Sequence, residues 1–213
     1  MSQHFKFLVN GPPDSSTKIV LAHGAGAGMD TPFMAAFAEG LATNGLRVLR
    51  FEFPYMAERR RTGKRRPPDR EPVLRETWRS VIEELGAKHL VIGGKSMGGR
   101  IASLVADEAG VAGLICLGYP FHPAGQPEKL RVDHLRDLKT PTLIVQGERD
   151  PFGTRSEVAM YELSGAVLVH WLPDGDHSFK PRKSSGRTER ENWDEGVGAV
   201  LGFVQGIGSD NLI

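Results

Sequence analysis

One serine with a glycine two positions away on either side has the clearest potential for chemistry in this chain. The segment Gly94-Lys95-Ser96-Met97-Gly98 follows a short apolar run, Leu90 to Ile92, and a helical pattern begins directly after it. A strand that turns this sharply into a helix strains its middle residue, and glycine fits two positions away on either side. The turn would lift the Ser96 hydroxyl clear of the sheet and aim the Met97 backbone N–H at a developing oxyanion. The pattern predicts Ser96 as a nucleophile and Met97 as an oxyanion donor.

Two glycine-rich segments partly match nucleotide-binding motifs. Gly94-Lys95-Ser96 matches the end of a phosphate-binding loop, but that motif requires glycine at position 89, which is His89. Gly24-Ala25-Gly26 follows an apolar run, as in a dinucleotide fingerprint, but the third glycine of that fingerprint falls on Met29. The first motif is rejected and the second is a weak match.

The strand, the G-x-S-x-G turn and the following helix resemble the nucleophile elbow of the α/β-hydrolase superfamily. A serine hydroxyl needs a general base, and the base needs an orienting acid. In that superfamily the acid and then the histidine follow the serine, each beyond the carboxyl end of a strand. The resemblance implies Asp150 as the acid, with Glu148 as the alternative, and His177 as the base; His122 is a weaker rival. Asp150-Pro151 could instead only start a turn, and His177 could be an ordinary loop histidine.

The resemblance also suggests a second oxyanion donor and a reaction type. His23-Gly24-Ala25 closes a predicted strand where the superfamily places this donor, which implies the Ala25 backbone N–H. Haloalkane dehalogenases and epoxide hydrolases of this fold carry Asp at the elbow, and dienelactone hydrolases carry Cys. Ser96 therefore points to acyl transfer to water through an acyl-enzyme, with no cofactor and no metal.

Composition limits the other classes of function. The chain has 213 residues, 27 Lys and Arg, 26 Asp and Glu and a net charge of +1, so no global attraction to nucleic acid or membrane is expected. The chain has one cysteine, Cys116, which excludes an intramolecular disulfide and fits a reducing compartment. Residues 1–10 lack the apolar core of a signal peptide. We expect a cytoplasmic protein with one domain over residues 1–213.

Apolar runs alternate with helical patterns along the chain, which predicts a doubly wound, mostly parallel sheet with helices on both faces. The predicted strands are Phe5–Val9, Ile19–Ala22, Val48–Phe53, Leu90–Ile92, Gly113–Leu117, Leu143–Val145 and Val167–Trp171. The first predicted helix has Pro32 in its first turn and Asp30 or Thr31 as its cap. Three further helices are predicted: one spans Pro72–Leu85, one runs from the elbow to Gly110, and one spans Thr188–Gln205.

A short connection argues against a lid. Only Gly118 to Pro141 separates two predicted strands where many superfamily members insert a cap domain, so we expect an open site for small soluble substrates. The chain resembles the small, lidless, dienelactone-hydrolase-like branch, especially bacterial proteins related to a eukaryotic subunit of a histone acetyltransferase complex. The segments Tyr119–Pro123, Gln146–Gly153 and Asp176–Phe179 carry this narrower resemblance, which does not imply a substrate.

Basic residues between Arg59 and Arg70 form a predicted loop on the active-site side of the sheet. This loop could bind an anionic substrate or partner, but a solvated mobile loop is the favoured interpretation. No aromatic residues alternate with the arginines, which weakens the case for nucleic-acid binding.

We expect the Lys95 side chain to point away from the Ser96 hydroxyl and assign it no catalytic role. The sequence predicts an esterase-like serine hydrolase acting on a small-molecule ester; the alternative is a non-catalytic interaction module with the same fold.

Overall fold

The computed structural model describes residues 5–210, and the side chains of residues 5–207. Its seven strands form one sheet in the order β1-β3-β2-β4-β5-β6-β7. Strand β1 is antiparallel to β3, and all the remaining neighbouring pairs are parallel. The strands are β1 Leu8–Asn10, β2 Lys18–Ala22, β3 Arg47–Phe51, β4 Leu90–Lys95, β5 Gly113–Leu117, β6 Thr142–Gly147 and β7 Val167–Leu172. The predicted mostly parallel, doubly wound sheet is confirmed.

Helices cover both faces of this sheet. They are α1 Pro32–Ala42, α2 Pro54–Thr62, α3 Glu71–Leu85, α4 Met97–Ser103, α5 Ala106–Ala109, α6 Arg155–Val158 and α7 Glu189–Asp210. Alternate residues of the central strands point to opposite faces, because side chains alternate along a strand. Val20 and Ile92 belong to one buried cluster with Trp78 of α3, whereas Leu21 belongs to the other cluster with Phe37 of α1. Both faces are therefore buried, as a parallel sheet requires.

The secondary structure of the basic segment, Arg59 to Arg70, differs from the prediction. Residues 54–62 form helix α2, so the expectation of a loop over Arg59–Arg70 is wrong for Arg59, Arg60 and Arg61, which occupy the last turn of the helix. Only Tyr55 and Met56 are buried in α2, which leaves no apolar period for a sequence pattern to show. Arginines in the last turn interact favourably with the carboxyl end of the helix dipole.

Other element boundaries also differ from the predictions. The helix after the elbow does not continue to Gly110: it ends at Ser103, and α5 follows after Leu104 and Val105. The N–H groups of Leu104 and Val105 donate to carbonyls three residues earlier, so this segment is a tight turn between two helices. The first strand begins at Leu8 instead of Phe5.

The parallel strands bring their carboxyl ends to one edge of the sheet, where the predicted site residues follow them. Between β5 and β6, residues 118–141 contain only one short 3₁₀ helix, Asp133–Leu135, and no inserted cap. Across the described part of the chain, no helix is both long and apolar enough to cross a membrane.

Candidate active site

Ser96 occupies a strained turn between β4 and α4. Its φ of 50° and ψ of −114° lie in a region that residues other than glycine rarely adopt. A Cβ atom at Gly94 or at Gly98 would collide with the carbonyl oxygen of Ala22 on the neighbouring strand. The glycine spacing is therefore required by the close approach of β2, and it allows Ser96 to stand at the end of the sheet.

The structure brings Ser96 together with the predicted base and acid. His177 Nε2 lies 2.9 Å from Ser96 Oγ, and His177 Nδ1 lies 2.7 Å from Asp150 Oδ2. Asp150 is fully buried. Because an ionised carboxylate only accepts hydrogen bonds, Nδ1 donates to Asp150 and Nε2 is left to accept from the serine hydroxyl. This is the arrangement that a serine nucleophile requires.

Asp150 is itself held by neighbouring groups. Its Oδ1 accepts the backbone N–H of Phe152 at 2.9 Å, and its Oδ2 also accepts Nε2–H of the buried Gln146 at 3.0 Å. The Phe152 ring packs on the imidazole of His177, with 4.4 Å between the ring centroids. These contacts fix the orientation of both the carboxylate and the ring.

The alternative acid and base lie in other environments. The Glu148 carboxylate accepts the Asp174 N–H at 3.0 Å and an N–H of Arg155 at 2.8 Å, so it braces the loop. His122 is buried, with Nδ1 2.9 Å from the Pro123 carbonyl oxygen. Neither residue makes a hydrogen bond to Ser96 or to His177.

The loop that carries Ala25 packs directly against the elbow. A Cβ atom at Gly24 would lie 3.7 Å from Ser96 Cβ, so the glycine allows this close approach. The Tyr55 hydroxyl donates to the Ala25 carbonyl oxygen at 2.9 Å, and this hydrogen bond holds the loop in place. In the described structure the N–H groups of Ala25 and Met97 have no protein acceptor, as predicted donors to an oxyanion would require.

The fully buried His23 supports the same loop. Its Nδ1 lies 2.6 Å from the Gly24 carbonyl oxygen, and its Nε2 accepts the Phe53 N–H at 3.1 Å. Burial lowers the pKa of His23, so the ring is neutral, with Nδ1 protonated to donate to the carbonyl. His23 therefore holds the Ala25 loop in place through the Gly24 carbonyl.

Ser96 and His177 border a pocket of about 610 Å³ at the carboxyl edge of the sheet. Its half-buried aromatic walls are Phe33, Phe152 and Trp193, and Glu189 lies at its border. A larger cavity of about 1240 Å³ lies at the opposite edge of the sheet, between α7 and the starts of β6 and β7, and no predicted site residue lines it. The smaller pocket is the one that adjoins Ser96.

Comparison with known proteins shows the family. A family model described as an alpha/beta hydrolase domain matches residues 15–205. The chain belongs to the α/β-hydrolase family. Likeness to solved structures of low sequence identity agrees with this assignment at the level of the fold.

Three such structures illustrate the likeness. A serine hydrolase without a lid from Xanthomonas campestris is 20% identical, with 93% of this chain and 87% of that chain covered and a TM-score of 0.66. Est1E from Butyrivibrio proteoclasticus, solved with ferulic acid bound, is 16% identical, with 92% and 94% covered and a TM-score of 0.69. A dienelactone hydrolase from Anabaena variabilis is 21% identical, with 91% and 89% covered and a TM-score of 0.68.

This α/β hydrolase contains a second serine–histidine contact behind the elbow. Ser103 Oγ lies 2.8 Å from His134 Nε2 and donates to the Arg100 carbonyl oxygen at 2.6 Å. Burial, and then the positive charge of Arg100, lower the pKa of His134 to about 4. Ser103 is 3% exposed and does not border the pocket, so this contact is structural.

Sequence reasoning missed several residues that support the site. The sequence assigns no role to Gln146, although its side chain, near the end of β6, donates to Asp150. The sequence assigns no role to His23, although this residue directly precedes the Gly24 and Ala25 of the predicted oxyanion loop. Tyr55 had no signal in the sequence, because its contact with Ala25 joins residues 30 positions apart.

Proposed function

We propose that this α/β hydrolase is a serine carboxylesterase that cleaves small esters through an acyl-enzyme. The observation that carries the proposal is the hydrogen-bonded series Ser96–His177–Asp150 at the border of an open pocket. A scaffold without turnover has no need to hold these three side chains in contact. The ester class is inferred from the serine nucleophile and the esterase-like neighbours of the fold.

The first half of the reaction forms the acyl-enzyme. Ser96 Oγ attacks the carbonyl carbon of the ester while His177 Nε2 takes the hydroxyl proton. The carbonyl oxygen becomes an oxyanion, which accepts the N–H groups of Ala25 and Met97. The tetrahedral intermediate then collapses: the bond to the alcohol breaks, and the imidazolium gives its proton to the leaving oxygen.

The second half releases the acid. Water attacks the acyl carbon, and His177 Nε2 takes its proton, which forms a second oxyanion held by the same two N–H groups. When this intermediate collapses, the proton passes back to Ser96 Oγ and the carboxylic acid departs. Asp150 keeps the ring oriented and stabilises the imidazolium formed in each half.

The pocket supports small substrates with an apolar or aromatic acyl group. Phe33, Phe152 and Trp193 provide flat apolar walls, and the chain between β5 and β6 contains no inserted cap. A lid usually closes over long acyl chains and excludes water from them, so an open site gives them little additional binding. Est1E was solved with ferulic acid, an aromatic acid, which agrees with this class although the identity is only 16%.

A panel of p-nitrophenyl esters tests the proposal. We expect hydrolysis of acetyl, butyryl and benzoyl esters, and kcat/KM that falls by about tenfold or more from butyryl to dodecanoyl, because the open pocket cannot enclose a long chain. Trp193→Ala should raise KM for the benzoyl ester more than for the acetyl ester. Well-folded protein that hydrolyses none of these esters faster than buffer would contradict the proposal.

The alternative interaction module receives little support from the basic segment. Arg60 pairs with Glu52 at 2.7 Å and with Asp30 at 2.9 Å, and Arg61 pairs with Glu58 at 2.7 Å. Much of the positive charge of α2 is thus balanced inside the chain. We do not propose a binding function for this segment.

A further inference from the structure

Lys95 directly precedes Ser96 in the sequence, but its amine contacts the backbone of His177. The Lys95 Nζ donates a hydrogen bond to the backbone carbonyl oxygen of His177. Its alkyl stem runs along the Ala25 loop, since a Cβ atom at Gly24 would lie 3.5 Å from Lys95 Cγ. The expectation that this side chain points away from the serine hydroxyl gave it no role, whereas its contact with His177 suggests one.

The amine is enclosed by a glycine and two aromatic rings. A Cβ atom at Gly118 would lie 2.5 Å from Lys95 Nζ and 3.4 Å from Cε1 of the His177 ring, so only glycine leaves room for both groups. Nζ lies 5.3 Å from the ring centroid of Phe33 and 5.5 Å from that of Phe179, within the range of cation–π attraction. The ammonium and the imidazole are therefore held side by side.

The charged groups around the amine belong to the two loops that carry the acid and the base. Asp150 and Asp176 act on Lys95 through their negative charges. Burial nevertheless lowers the pKa of Lys95 to about 8, so the amine is still mainly protonated at neutral pH. A positive charge thus lies near the ring that must accept a proton during the reaction.

We propose that Lys95 is a positioning residue for His177: its amine fixes the loop through the His177 carbonyl, and its charge disfavours premature protonation of the imidazole. The proposal rests on the proposed function of His177 as the base. Asp150 holds the ring through Nδ1 and Lys95 holds the backbone, so the base is fixed at both ends. Like charges repel, so the ammonium opposes a second positive charge on the adjacent ring.

Histidine-ring NMR on the full chain tests this directly. Lys95→Met keeps an unbranched side chain one atom shorter, and it removes the donor and the charge. The titration midpoint of the His177 ring, assigned from His177→Gln, should move upward by about one pH unit. The acid limb of kcat/KM for p-nitrophenyl acetate should move with it, and kcat should fall about tenfold. Lys180→Met is the matched control, because it removes an exposed lysine from the same loop and should shift neither quantity.

A second variant separates charge from fit and covers the case in which Lys95→Met does not fold. Lys95→Arg keeps the charge in a larger group, so the ring midpoint should stay near that of wild type while kcat falls. An unchanged midpoint in folded Lys95→Met, or a wild-type kcat together with a shifted midpoint in Lys95→Arg, would overturn the proposal. The ring titration needs no turnover: an upward shift in Lys95→Met with no esterase activity in wild type would refute the proposed function alone.

Discussion

Ser96→Ala is expected to lower kcat/KM for p-nitrophenyl acetate by about 10⁵-fold, because the substitution removes the oxygen that we propose as the nucleophile. The remaining rate would come from the pocket and from the two backbone donors. The fold should survive, since alanine is smaller than serine and meets the same strain at a φ of 50°. Steady-state rates and a thermal melt of the same preparation would measure both effects.

The matched control is the other serine that contacts a histidine. Ser103→Ala removes a buried hydroxyl 2.8 Å from His134 Nε2, and it should lower stability while keeping kcat/KM within about threefold of wild type. Loss of activity in Ser103→Ala and its retention in Ser96→Ala would reverse the assignment of the nucleophile.

Asp150→Asn should reduce kcat by about 10⁴-fold with little change in KM. The carboxylate accepts hydrogen bonds on both oxygens, from the Phe152 N–H on Oδ1 and from Gln146 and His177 on Oδ2. An asparagine NH₂ group would face a donor in either orientation. Placed at the Oδ2 position, it would force His177 to carry its proton on Nε2, where it could not accept from Ser96.

The different effects expected on kcat and on KM make this second prediction specific. Substrate contacts are unchanged, so KM should remain within about threefold while kcat falls. Asp107→Asn is the control, because the Asp107 carboxylate also accepts backbone N–H groups, those of Lys139 and Thr140, but does not border the pocket. A kcat for Asp150→Asn within tenfold of wild type would show that the base does not depend on this acid.

Local chemistry explains what the sequence could predict. The elbow is a run of five residues between an apolar run and a helical pattern, so it can be recognised from the sequence, although its glycines are required by the close approach of β2. Asp150 and His177 follow predicted strands, and the carboxyl ends of parallel strands meet at one edge. The sheet and the proximity of the three residues follow from these rules.

Contacts between distant segments explain what the sequence could not predict. Helix α2 has no apolar period, because only Tyr55 and Met56 face the interior. Lys95 meets the His177 carbonyl across 82 positions of the chain, and this contact depends on the absence of a side chain at Gly118. Residue type alone suggests an exposed lysine there, whereas the packing of three loops places its amine against the backbone of His177.

Labelling with a fluorophosphonate probe tests the central claim most directly, because phosphonylation requires an activated serine and no knowledge of the substrate. The account predicts one adduct, located by mass spectrometry on the peptide that contains Ser96, and its loss in both Ser96→Ala and His177→Ala. Absence of labelling in well-folded wild type, or an adduct on another serine, would contradict it.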